Sequence, residues 1–255
     1  MMLPVDVRYR WTCASPWRSA MPSTPTLVLI PGAWHGAWAW RGVVAELSDL
    51  DVRTVELPSV GPDPAALGDL HADAAVVRAA AGGIDGPVVV CAHSYGAAPA
   101  SEGLAGLANV VGLVSLSGFQ LDIGESVLGA VGGVPPSWWD VHEAEGYVDP
   151  RQPAQVLYTD VRDGAARGAV ARLGHHALAA FEQRLTRAAW RTIPSTYVVC
   201  ERDAAIPVRA QEAMAERAGR VLRMATAHSP FLSRPAQLAG VLRAELALGR
   251  EPVTR

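Results

Sequence analysis

Apolar residues along this chain follow two rhythms. Short, nearly continuous runs rich in Val, Leu and Ile lie at Thr26–Ile30, Val52–Leu57, Val88–Ala92, Val111–Leu116, Thr196–Cys200 and Val221–Met224, the pattern of strands buried on both faces. Longer stretches with helical spacing separate them, near 38–48, 65–81, 95–106, 208–218 and 235–248. Pro235 suits the first turn of the last, where its missing N–H would be unpaired anyway. This alternation predicts an α/β domain whose mainly parallel sheet is flanked by helices.

The rhythm breaks between 119 and 190. That stretch carries Gly132, Gly133, Pro135, Pro136 and the pair Trp138–Trp139, with several helical patterns and no clear strand. A structureless loop of about 70 residues would be exceptional, so an inserted helical cap is expected over 119–190, with 26–118 and 191–255 forming the core. Residues 1–25 hold Arg8, Arg10, Arg18 and several prolines. They lack the apolar core of roughly 7–15 residues that a signal peptide needs. We expect a flexible leader there, with Met21 as an alternative start of translation.

Composition narrows the chemistry. A formal charge of −3 gives no basic footprint for nucleic acid, and the apolar runs are too short to span a bilayer. All 22 basic residues are arginine, so a Schiff base on a lysine is closed. Cys13, Cys91 and Cys200 are odd in number and irregular in spacing, which supports neither a disulfide framework nor a zinc site; a cytoplasmic location is the simplest expectation.

Three local patterns point to catalysis. In Val88-Val89-Val90-Cys91-Ala92-His93-Ser94-Tyr95-Gly96-Ala97-Ala98, a buried strand runs into a serine with tiny residues two positions away on either side, and a helix follows. A serine on a sharp strand-to-helix turn needs such neighbours, since larger side chains would collide there. In Leu27-Val28-Leu29-Ile30-Pro31-Gly32-Ala33-Trp34-His35-Gly36-Ala37-Trp38-Ala39-Trp40, a second buried strand ends in a Gly-containing loop able to aim a backbone N–H at a developing oxyanion. These two patterns resemble those of the α/β-hydrolase fold, in which this loop and the residue after the serine supply the two donors, so the resemblance implies the N–H groups of Ala33 and Tyr95. Finally, Thr196–Cys200 is followed by Glu201-Arg202-Asp203, and Val221–Met224 by Ala225-Thr226-Ala227-His228-Ser229-Pro230. A serine is a poor nucleophile until a base takes its proton, and that base needs an acceptor on its other ring nitrogen. The order Ser94, Asp203, His228 supplies both.

Competitors exist for each role. Glu201 or Asp122 could replace Asp203. His93 must point away from Ser94 and reads as structural. His35 lies on the wrong loop to serve as base, and His175 and His176 fall in a helical pattern of the insertion.

Together these residues resemble the α/β-hydrolase fold superfamily, in its lidded esterase branch of plant methylesterases (the salicylate-binding esterase type) and hydroxynitrile lyases. The likeness covers roughly 26–248. Two departures are visible: Ala92 stands for the first glycine of the elbow motif, and Pro31 for the usual histidine of the oxyanion loop. Hydroxynitrile lyases of the branch carry a threonine at the position of Gly32 and a lysine at that of Ser229, so this chain is similar to the esterase side.

The resemblance implies no metal and no cofactor, and an active site between core and cap. It leads us to expect cleavage of a small apolar ester or lactone through an acyl-enzyme, with Trp34, Trp138, Trp139 and Tyr158 as substrate-binding residues. The expected partner is that small molecule, with neither nucleic acid nor membrane; a homodimer is left open. A lyase or cyclase using the same triad for proton transfer, and a non-catalytic ligand-binding protein, are the competing readings.

Overall fold

A computed structural model describes residues 24–249. Its organising element is a six-stranded, all-parallel sheet in the order β10-β9-β5-β4-β1-β2. The first strands are β1 (Thr26–Ile30), β2 (Val52–Thr54), β3 (Val60–Gly61), β4 (Val88–His93) and β5 (Val110–Leu116). Strands β6 (Trp139–His142), β7 (Tyr147–Pro150) and β8 (His175–Ala177) come next, followed by β9 (Ser195–Cys200) and β10 (Arg220–Met224). The core helices are α1 (Arg41–Glu46), α2 (Leu70–Gly82) and α3 (Ala97–Leu104). The insertion adds α4 (Val127–Ala130), α5 (Pro153–Leu157), α6 (Asp163–Val170) and α7 (Leu178–Glu182). The chain closes with α8 (Val208–Ala215), α9 (Pro230–Ser233) and α10 (Pro235–Leu248).

Alternation along the strands divides the core in two. Leu27 and Leu29 of β1, with Val89 and Cys91 of β4, pack with Val43 of α1 and Leu238, Leu242 and Leu246 of α10. Their neighbours Val28, Ile30, Val88, Val90 and Ala92 face the other way, onto Leu70 and Val77 of α2 and Ala100 and Leu104 of α3. Successive side chains of a strand point to opposite faces, so near-continuous apolar runs feed both cores. Cys91 and Cys200 are free, buried thiols.

The main differences from expectation concern where helices begin and what the insertion contains. The helix expected at 65–81 is split. A single 3-10 turn covers Pro64–Ala66, and α2 begins after Asp69, whose carboxylate caps the Ala72 N–H at 2.8 Å. The insertion carries strands as well as the helices α4–α7. Residues 119–190 hold three short strands that join β3 in an antiparallel sheet ordered β3-β8-β7-β6. His175 and His176 therefore lie on a strand, with His176 paired to Val60. Strands of three or four residues are too short to show a period, and the pairing of β3 with β8 joins segments more than a hundred residues apart. The expectations for the leader and Cys13 lie outside the described residues. Among the described residues, no helix is long and apolar enough to cross a membrane.

Candidate active site

The loops after β1, β4, β9 and β10 meet at the carboxyl edge of the sheet. Strand order reverses between β1 and β4, since β2 lies to one side and β5, β9 and β10 to the other. Such a switch point opens a crevice at the strand ends.

Ser94 follows β4 directly with φ +50°, in the left-handed region that a non-glycine residue seldom adopts. Its surroundings explain the small residues nearby. A Cβ on Gly96 would lie 2.3 Å from the Pro31 carbonyl oxygen, and one on Gly32 would lie 2.9 Å from the Ser94 Cβ. The loop after β1 therefore rests against the serine turn at backbone contact. Trp34 and Ser117 share the left-handed conformation at φ +63° and +41°. Three of the four non-glycine residues with positive φ among those described thus border this crevice, the fourth being Gln152; strain of this kind concentrates at functional sites.

His228 Nδ1 donates to Asp203 Oδ2 at 2.7 Å, and both side chains are almost wholly buried. Asp203 collects further donors: Ser117 Oγ at 2.5 Å, Gln211 Nε2 at 3.2 Å, and the N–H groups of Ala205 and Ile206 at 2.7 and 2.9 Å. Burial opposes its ionisation, but the His228 charge and hydrogen bond, with those of Ser117 and Ile206, outweigh it and hold the carboxyl below its ordinary value. The histidine loop is tied to the serine turn through His93. That ring donates from Nε2 to the His228 carbonyl at 2.9 Å and packs 4.6 Å, centroid to centroid, from the His228 ring. His93 is thus the structural residue expected. Asp160 of the insertion fastens the same loop, accepting from Ala227 N–H at 2.9 Å and Ser233 Oγ at 3.1 Å.

Of the competitors, Glu201 is exposed near Arg223, and Asp122 pairs with Arg191 at 2.6 Å; neither bonds to His228. His35 is buried, donating from Nδ1 to the Ala33 carbonyl and accepting from Tyr158 Oη, each at 2.7 Å. Desolvation lowers its pKa to about 4, against the Ala33 bond, so the ring stays neutral. Among the described residues nothing accepts from the Ala33 N–H, which leaves that donor available.

The four aromatic residues expected to contact substrate separate in the structure. Trp138 lines a cavity of about 680 Å³ that also includes Phe119, Leu121, Ile206 and Met214. Its wall reaches the serine and acid loops only through Phe119, whose N–H donates to the Ser94 carbonyl at 3.0 Å, and Ile206, whose N–H donates to Asp203; Glu125, Arg184 and Arg217 also line it, and Ser94 and His228 do not. Trp34, Trp139 and Tyr158 are nearly inaccessible and outside its lining. Trp34 instead bonds the insertion, from Nε1 to the Val148 carbonyl at 2.7 Å, with its own carbonyl accepting from Gly174 N–H at 3.0 Å. Ser117, Gln211, Asp160, Asp73 and His176 carry no motif that marks them in the sequence; only folding brings them to the site.

Comparison with known proteins agrees with this architecture. Residues 27–241 match the profile of the alpha/beta hydrolase family. The chain is 30% identical over 240 residues to a protein of Aspergillus novofumigatus named alpha/beta hydrolase nvfD, covering 86% of this chain and 95% of that one. It is 28% identical over 242 residues to a probable hydrolase R7 of Phoma sp., covering 88% and 98%. Among solved structures, a pyrethroid hydrolase from Sphingobium faniae JZ-2 superposes with a TM-score of 0.78 at 17% identity, over 88% of this chain and 98% of that one. Methylesterase MES16 from Arabidopsis gives 0.72 at 18%, over 88% and 99%. Tomato methylketone synthase I, in complex with 2-tridecanone, gives 0.76 at 17%, over 90% and 100%. At such identities the structural likeness speaks for the fold alone.

Proposed function

The chain belongs to the alpha/beta hydrolase family, and from that membership we propose that it is a serine hydrolase of apolar carboxylic esters or lactones. The observation that carries this reading is the buried Asp203–His228 pair at 2.7 Å, whose loop is tied through His93 to the turn bearing Ser94 in its strained conformation.

With Nδ1–H committed to Asp203, the His228 Nε2 is the nitrogen left to accept the Ser94 proton. Ser94 Oγ then attacks the substrate carbonyl, and the N–H groups of Ala33 and Tyr95 receive the negative charge on its oxygen. The imidazolium of His228 protonates the leaving alkoxide, which departs as the alcohol. Water, deprotonated by the same histidine, attacks the acyl-enzyme and releases the acid, restoring the serine. Asp203 remains ionised throughout, and its low pKa supports the imidazolium.

The cavity that Phe119 and Ile206 connect to the serine and acid loops supports an apolar small-molecule substrate. Its 680 Å³ falls within the range of roughly 300–1,000 Å³ usual for small-molecule sites, and Phe119, Leu121, Trp138, Ile206 and Met214 give it an apolar wall. Ser94→Ala should abolish hydrolysis of a p-nitrophenyl ester and labelling by a serine-directed phosphonate. A variant that hydrolyses and labels like the parent would overturn the assignment.

A further inference from the structure

A second histidine–carboxylate system lies on the far side of the serine turn, and the mechanism above does not use it. Asp73 of α2 is fully buried. Its Oδ1 accepts from the Ser59 N–H at 2.9 Å, and its Oδ2 from Ser59 Oγ at 2.5 Å and from Tyr95 Oη at 2.6 Å. Ser59 Oγ also meets His176 Nε2 at 3.3 Å, and His176 Nδ1 lies 3.2 Å from the Trp34 N–H. The ends of this chain are the side chain of Tyr95 and the peptide next to Ala33. Those are the two residues whose N–H groups form the oxyanion site in the reading given above, on which this inference rests.

Proton counting fixes every link. An ionised carboxylate has no proton to give, so the single Ser59 hydroxyl proton goes to Asp73 Oδ2. Ser59 can then offer His176 only a lone pair, which requires the proton of the neutral ring to sit on Nε2. The bare Nδ1 is left as an acceptor for the Trp34 N–H. Burial drives the His176 pKa down to about 3, so the ring carries one proton at ordinary pH. Burial also raises Asp73 to about 6, against the bonds from Ser59 and Tyr95, and above that pH it is the anion that the count requires. His176 belongs to β8, and Gly174 just before that strand holds the Trp34 carbonyl. The insertion therefore grips both sides of a tryptophan kept at an unfavourable φ.

We propose that Asp73, Ser59 and His176 are positioning residues that set the acceptor nitrogen on His176 and thereby hold the Ala33 and Tyr95 donors in register with each other. None of the three needs to touch substrate. The chain also makes the oxyanion site depend on the seating of β8.

The test pairs Asp73→Asn, nearly isosteric but able to donate, with Ser59→Ala, which removes the middle link. Measured at about pH 8, where Asp73 is ionised, long-range proton–nitrogen spectra of the folded wild type should show His176 protonated at Nε2. In Asp73→Asn the Nδ1–H form should gain population. Both variants should lose about 10-fold or more in kcat for p-nitrophenyl ester with KM within about twofold, since a displaced oxyanion donor acts in the transition state. A merely structural role would leave the tautomer unmoved. Protonation of wild-type His176 at Nδ1, or wild-type kcat in both variants, would overturn the proposal. Should Asp73→Asn fail to fold, Ser59→Ala and the wild-type spectrum decide. A wild type that turns over no ester sinks the esterase reading instead, and the tautomer measurement still decides this one.

Discussion

Two histidine–carboxylate systems flank Ser94, and they differ in almost everything except residue type. On one side His228 bonds Asp203 directly, and against burial the charge and hydrogen bond of His228, with the bonds from Ser117 and Ile206, hold the acid below its ordinary pKa. On the other side a serine separates His176 from Asp73, burial outweighs the bonds from Ser59 and Tyr95, and the acid is raised to about 6. Both carboxylates are desolvated; the partners decide the sign. A directly paired acid can stabilise an imidazolium that comes and goes during turnover. A distant acid facing a histidine that stays neutral can only fix where protons rest, which suits orientation better than proton transfer.

The contrast can be broken or sharpened by experiment, beginning with the largest expected effect. Asp203→Asn should lower ester kcat by roughly 10³–10⁴-fold with the fold retained, because the ring loses the partner that fixes its tautomer; a loss under about tenfold would equate the two carboxylates in importance. Acid titration should separate them next. The folded pKa of Asp73 lies above the unfolded value, so its contribution to stability is fully present below about pH 3.8 and is lost as pH rises towards 6. Relative to Asp73→Asn, the wild type should therefore lose stability over that window, by at most about 1.4 kcal/mol per pH unit. Asp203 has the opposite sign: its contribution is present above pH 3.8 and is lost as pH falls through its depressed value. Denaturant midpoints of the two Asp→Asn variants across pH check both slopes.

Gly96→Ala would drive a Cβ to 2.3 Å from the Pro31 carbonyl. It should cost about 1–3 kcal/mol of unfolding free energy and reduce turnover by spreading the two oxyanion loops. The smallest effect belongs to the rejected acids: Asp122→Asn and Glu201→Gln should leave kcat within about twofold, and a large loss in either would reopen the choice of acid.

Much of one system could be read before folding, and almost none of the other. Ser94, Asp203 and His228 each follow a strand of five or six residues, wholly buried in the first two cases, and strand ends can be located from sequence. The order of the three along the chain completed the argument. Asp73 sits in the middle of a helical pattern, Ser59 in a Pro-flanked turn, and His176 on a strand of three residues. Each looks ordinary in its own segment. The same limit hid the short strands of the insertion, which lie between its helices. Nor does the sequence show that Trp34 and Tyr158 are nearly inaccessible, with their polar atoms bonded to Val148 and His35.

The chain's own pattern determined the parallel sheet, its two apolar cores and the residues at the ends of its strands, because burial of alternating and continuous apolar runs is a local demand on sequence. Only the tertiary structure decided which nitrogen of each histidine is free, which carboxylate is held ionised, and how the insertion grips Trp34. Those outcomes depend on hydrogen bonds between groups as far apart as Trp34 and His176, whose strength and direction arise when folding removes water from both.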